Sequence, residues 1–291
     1  MKFAIRHQTI YGYSEPASLS QNELFLHPRE IDRQRVVECR LDIHPTPQYL
    51  RQRKDYFGNT AQVFMVEQPH NELTVSAVSA VETASPVVPP ASETPPWEQV
   101  ARRLTDCSEL ADLEACQFVF PSPLVTVGPG PLAYSRLSFP PGTPVLGGAL
   151  DLMHRIHAEF TYDKMATSVD TGVDQVLADR KGVCQDFAHL AISGLRALGL
   201  AARYVSGYLQ TTPPPGKPRL VGADASHAWI ALYVPETGWV DLDPTNDLIP
   251  GESHITLAWG RDYGDVTPVK GVVMGGGTHT LSVMVDVSVA D

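Results

Sequence analysis

Thiols attack carbonyl carbon usefully only as thiolates, and this chain carries one cysteine where that form is favoured. Cys184 follows Lys181-Gly182-Val183 and opens the run Cys184-Gln185-Asp186-Phe187, where a glycine-led turn gives way to helical spacing. Unpaired amide N–H groups and the positive end of the helix dipole meet at such a position and stabilise a thiolate. Downstream lie Ser226-His227-Ala228-Trp229 and Asp241-Leu242-Asp243-Pro244-Thr245, so cysteine, histidine and aspartate follow in that order. An imidazole takes the thiol proton and returns it to a leaving amine; a carboxylate fixes the imidazole tautomer and stabilises its cation. The chemistry open to such a trio is acyl transfer through a thioester.

Two kinds of element must position it. From Cys184, the residues Phe187, Leu190, Ala191, Leu195 and Leu198 recur at three- and four-residue steps, and Gly199 suits the left-handed position beyond a helix end. Residues 202–209, 226–234 and 239–242 read as strands, giving a helix packed on an antiparallel sheet. On the second of these, Ala228, Ile230, Leu232 and Val234 form a uniformly apolar set that faces the core, so His227, Trp229, Ala231 and Tyr233 face away from it. Val240 and Leu242 must face that core too, which turns Asp241 and Asp243 to the His227 side. Pairing Tyr233 with Trp239 across the turn 235–238 then places Asp243 diagonal to His227, roughly 7 Å away between backbones. Asp241 is the alternative acid if the register shifts by two.

Smaller roles attach to neighbours. The Cys184 backbone N–H is a possible oxyanion donor, with the Gln185 side chain a weaker one and the segment Phe160-Thr161-Tyr162 an upstream source of another. Trp229 and Trp239 either wall a substrate groove or pack within the sheet. Asp186, in the first turn, complements the helix dipole.

The rest of the chain bounds these readings. With 291 residues, 43% of them hydrophobic, a large packed core is affordable; a formal charge of −11 without clustered Lys/Arg excludes a nucleic-acid partner. No basic-then-apolar leader opens the chain and no apolar run approaches about 18 residues. A cytoplasmic protein without membrane contact is therefore expected. Four scattered cysteines form neither a disulfide framework nor a zinc pattern, and His154 and His157 read as surface residues, so neither metal nor cofactor is expected. Residues 1–84 read as a β-sandwich-type domain, with Val37, Cys39, Leu41 and Ile43 alternating inward, strands at 61–66 and 73–81, and a turn at 55–59. Residues 85–98 form a proline-rich linker, and 99–291 the catalytic domain. Within it, 121–144 reads as an irregular covering segment, 146–160 as a helix, and the alternation Leu281, Val283, Val285, Val287, Val289 as a final strand.

The blocks Gly182-Val183-Cys184-Gln185-Asp186-Phe187-Ala188-His189-Leu190, Ala202-Arg203-Tyr204-Val205-Ser206-Gly207-Tyr208, Ser226-His227-Ala228-Trp229 and Trp239-Val240-Asp241-Leu242-Asp243-Pro244-Thr245 resemble the transglutaminase-like superfamily. His7-Gln8-Thr9-Ile10-Tyr11, Leu26-His27-Pro28-Arg29 and Phe57-Gly58-Asn59 resemble the β-rich N-terminal region of its bacterial members, and residues 260–266 their C-terminal segment. The resemblance implies a papain-like α+β fold, with Cys184 as nucleophile, His227 as base and acid, and Asp243 as orienting acid. It leaves the reaction open. Peptide or amide hydrolysis is favoured, with transamidation as the alternative and, from a different class, a non-catalytic module that docks a protein partner through its N-terminal β domain.

Overall fold

Charged and apolar residues alternate from Lys2 onward, and the chain obeys that pattern: Phe3, Ile5, His7 and Thr9 are buried while Lys2, Ala4 and Arg6 face outward. The computed structural model describes residues 1–107, 109–211 and 226–290. Its first five strands are β1 (Lys2–Leu24), β2 (Gln34–His44), β3 (Tyr49–Lys54), β4 (Thr60–Val66) and β5 (His70–Thr83), in the spatial order β2-β5-β1-β4-β3. The first half of β1 pairs with β5 and the second with β4, with the register broken between Gly12 and Ala17. There the sheet folds over, and its halves pack through Leu24, Phe64, Val66, Leu73, Val75 and Ala77. The sandwich expected for this region is thus one hydrogen-bonded sheet doubled on itself. Cys39, Leu41 and Ile43 turn inward as their alternation requires. Val37 does not: a bulge between Val36 and Glu38 leaves it 55% exposed.

Helices follow the linker: α1 (Trp97–Asp106), α2 (Leu110–Cys116), α3 (Pro129–Arg136) and α4 (Val145–Glu159). The segment expected to be irregular therefore contains α3. Its prolines fall in the first turn, where the missing N–H has no helical partner to lose. Far from lying loosely over the fold, the segment is anchored: Ser193 Oγ donates to the Thr126 carbonyl at 2.6 Å and Arg155 donates to the Tyr134 carbonyl at 2.9 Å. Next come β6 (Thr161–Tyr162), α5 (Val173–Asp179), β7 (Lys181–Gly182) and α6 (Cys184–Ala197). Helix α6 is buried from Gln185 to Arg196, and Phe187, Leu190, Ala191 and Leu195 share one core with Ala228, Ile230, Leu232 and Leu242. It ends as its glycine requires. Gly199 takes φ +81°, its N–H bonds the Arg196 carbonyl, and the Leu200 N–H bonds that of Leu195.

The sheet beneath α6 comprises β8 (Ala202–Leu209), β9 (Ser226–Val234), β10 (Gly238–Leu242) and β11 (His254–Gly260), in the order β10-β9-β8-β11. Its far face and its β11 edge meet the N-terminal region. Phe3, Ile5 and Val81 pack on Tyr208, Ile255 and Leu257. The Gln34 amide donates to the Thr256 carbonyl and accepts its N–H, both at 2.8 Å, while Asn59 pairs with the N–H and carbonyl of Trp259 at 3.0 and 2.8 Å. Side-chain amides thus supply the bonds a fifth strand would have made, closing an edge that could otherwise pair with another chain.

Two more strands, β12 (Val269–Gly275) and β13 (His279–Val289), return to the first sheet and pair antiparallel with β1. Residues 269–289 consequently belong structurally with the N-terminal sheet, not with the catalytic domain to which the sequence division assigned them. Only Val285 and Val287 of the final alternation are buried; Leu281, Val283 and Val289 are exposed.

Close approach dictates one residue of the inner sheet. A Cβ on Gly207 would lie 2.2 Å from the Ile255 carbonyl oxygen and 2.4 Å from the Trp229 ring. Backbone cannot yield cheaply, so Gly207→Ala should lower unfolding free energy by about 3 kcal/mol, read as a reduced urea midpoint. An unchanged midpoint would contradict this packing.

Candidate active site

The thiol's position is built by a short parallel pair. β7 lies beside β6, and Gly182 passes so close to α6 that a Cβ there would sit 2.7 Å from an Asp186 carboxylate oxygen. That carboxylate closes the helix start, accepting the Val183 N–H at 2.7 Å and the Thr167 hydroxyl at 2.6 Å. Burial pushes the Asp186 carboxyl up, and these two bonds pull it back. Cys184 is the first helical residue, partly buried and outside any disulfide, so its N–H has no intrahelical acceptor.

The register expected for β9 and β10 is the one observed, with Trp239 opposite Tyr233. His227 Nε2 donates to Asp243 Oδ2 at 2.7 Å, and Cys184 lies close enough to the imidazole to favour its cation. Burial alone would depress the imidazole; Asp243 and Cys184 outweigh it and raise the group to about 10. Thus His227 carries its proton at neutral pH, the state a base holds after taking a thiol proton. Asp241, the alternative acid, instead bonds Arg33 at 2.7 Å.

Asp243 is fully buried, yet no oxygen of it is left wanting. Oδ2 also accepts from Asn246 Nδ2 at 2.7 Å and His254 Nε2 at 3.1 Å, while Oδ1 accepts the Thr245 and Asn246 N–H groups at 3.0 and 3.2 Å. Burial would raise this carboxyl, but its bonds to His227 and His254 lead a set that holds it well below the usual carboxylate range. His254 and Asn246 escaped the sequence reading. An asparagine three residues after an aspartate is a turn signal that could have found the second; nothing in spacing marks the first.

These shifts give stability a pH optimum. His227 is more basic folded than unfolded, so its contribution is complete below pH 6.5 and is lost as pH climbs toward about 10. His7 and His189, each lowered to about 4 by burial, act oppositely: the unfolded chain takes up their protons as pH falls from 6.5. Asp243, depressed in the fold, adds a further loss below its ordinary value of 3.8. Unfolding free energy should therefore peak near pH 6.5 and fall by a few kcal/mol on each side. Urea midpoints rising or falling steadily from pH 4 to 10 would refute this.

Of the remaining expected site residues, Tyr162 is brought to the thiol. Half-exposed on β6, its phenol is pushed up by burial and by proximity to Cys184, as are those of Tyr204 and Tyr263, two neighbours the sequence reading missed. The Gln185 side chain is steadied by its amide, which donates one N–H to the Val169 carbonyl at 3.1 Å. Trp229 walls no groove: it is 0% exposed, packed with Val205, Ala231, Trp239 and Trp259. Trp239 leans on Phe118 and Tyr233 and lines a different cavity, whose described walls lack Cys184, His227 and Asp243. His154 and His157 bond Asp247 and the Thr245 carbonyl at the surface. Among the described residues, His227, Asp243 and His254 are the group whose donor atoms could hold an ion, lying within 4.8 Å of one another. Both Nε2 atoms, however, are directed at one carboxylate oxygen as hydrogen bonds.

Residues 3–82 match the bacterial transglutaminase-like N-terminal region and residues 139–244 the transglutaminase-like superfamily, and the chain belongs to that superfamily. An uncharacterized protein of Mycobacterium tuberculosis is 40% identical over 99% of this chain and 91% of its own length. The protein-glutamine gamma-glutamyltransferase of Pseudomonas aeruginosa is 38% identical over 34% of this chain and 15% of its own. A solved structure from Cytophaga hutchinsonii, described as a candidate cysteine protease, shares the fold with TM-score 0.75 at 20% identity, covering 100% of this chain and 91% of that one. No helix among the described residues is long and apolar enough to cross a membrane.

Proposed function

We propose that the protein is a cysteine-dependent acyl-transfer enzyme that hydrolyses a peptide or amide. One observation carries the reading: Cys184, at a helix start, lies beside an imidazole whose Nε2 is held by a buried, fully satisfied carboxylate. Cys184 Sγ attacks the amide carbon while its proton resides on His227 Nδ1, and the negative oxygen so formed meets the Cys184 N–H. The C–N bond then breaks, the amine leaving with the His227 proton, and a thioester remains on Cys184. Water, deprotonated by the same imidazole, releases the acid and restores the thiol. Transamidation is the second reading, favoured by the name of the Pseudomonas aeruginosa relative; an amine replaces water in the last step.

The decisive experiment is intact-mass analysis after incubation with an activated aryl ester. The expected result is one acyl group added to the wild type and none to Cys184→Ala; equal labelling overturns the assignment. Adding a fluorescent primary amine then separates the readings, since transamidation yields the amide product and hydrolysis the free acid.

A further inference from the structure

On the sheet face opposite α6, the N-terminal region leaves a cleft of about 580 Å³, within the range of small-molecule sites. Arg203 of β8 lines it, with Val205, Trp239 and Trp259 beside it and Arg33 and Asp241 across. The guanidinium carbon lies 4.2 Å from the centre of the Trp239 ring and 3.7 Å from that of Trp259. Two indoles therefore hold the cation in place.

What they do not supply is an acceptor. Arg203 is 8% exposed and its side chain makes no hydrogen bond or ion pair among the described residues, its Nε being sealed from solvent without a partner. Asp241, the acid whose field it feels, already bonds Arg33 at 2.7 Å. A buried guanidinium without an acceptor is unusual, because desolvation of a charge is repaid only by directed bonds. Burial lowers this group to about 9, so it is still a cation at neutral pH.

We propose that this cleft binds a small monocarboxylate, its carboxylate on Arg203 and its carbon skeleton on Val205 and the two indoles. Charge sets the ligand's valence. Arg33 and Asp241 neutralise each other, Asp32 is exposed, and Arg29, which shares the Trp259 ring at 3.4 Å, is committed to Asn59 and the Phe57 carbonyl, so Arg203 is the one cation lining the cleft without an acceptor, which suits a single carboxylate better than a phosphate dianion. A planar carboxylate also matches the guanidinium fork. This site is separate from the thiol chemistry: Trp229, fully buried, stands between it and His227, whose ring lies 6.0 Å from that of Trp229.

The test is calorimetric titration of the whole chain with acetate, hexanoate and N-acetyl-leucine, each alongside its neutral amide, with tryptophan emission as a second readout. At least one carboxylate should bind saturably and about tenfold or more tighter than its amide. Arg203→Met should lose that preference, and Arg203→Lys, which keeps the charge, should retain part of it. Equal binding of acid and amide, or no saturable signal from any carboxylate up to about 50 mM, overturns the proposal. Should Arg203→Met fail to fold, the acid-against-amide comparison on the wild type decides by itself.

Discussion

Cys184→Ala should abolish the acyl adduct and lower turnover on any amide substrate by on the order of 10⁶, the loss typical of removing a covalent nucleophile. The effect should fall on kcat, because nothing in the substituted side chain is needed to fold the helix. Cys184 is half-buried at the first helical position, where the capping is done by Asp186, Val183 and Thr167. Thermal stability of the variant should consequently stay close to the wild type, lowered only by the thiol's share in the basicity of His227 and by its packing. Steady-state kinetics on one cleaved or transferred substrate, with the melting midpoint alongside, checks both halves; retention of a tenth of the activity would remove Cys184 from the chemistry.

Asp243→Asn should cost on the order of 10³–10⁴ in kcat, for a different reason. Asparagine is nearly isosteric, yet Asp243 receives three side-chain N–H donors on one oxygen and two backbone donors on the other. Whichever way the amide is turned, its own NH₂ faces donors, so about 3 kcal/mol of stability is lost as well. More telling is the imidazole. Without the carboxylate, burial loses its main opponent and His227 should fall from about 10 toward or below its ordinary 6.5. A proton NMR titration of that ring reads the shift directly. An unchanged His227 with unchanged kcat would show that Asp243 orients nothing.

Much of this site was legible because it rests on two short periods. The helical spacing from Cys184 and the alternation from His227 settle which face each side chain takes, and a short turn at 235–237, which leaves Gly238 opposite Val234, settles the register between β9 and β10. What lay outside those periods was not legible. Parity put Trp229 and Trp239 on the His227 face correctly, but not that the N-terminal region covers much of that face, which is why Trp229 is buried instead of lining a groove. Helix α3 hid behind Pro129 and Pro131, residues that signal loops in general and helix starts in particular. His254 reaches Asp243 from β11, two strands across from β9. Pairings of that range leave no mark on local sequence, and the same is true of β12 and β13, whose alternation announces strands but not their partner.

The course of β1 has a bearing on how the protein is made. Phe3 sits opposite Val289, and residues 3–12 lie between β5 on one side and β13 on the other. During synthesis β5 is available almost at once, whereas β13 emerges only after the whole thiol-bearing unit has been translated. One flank of β1 must therefore wait, open and ready to pair, while the residues between β5 and β13 are translated, and a fragment cut at residue 84 would carry that raw flank permanently.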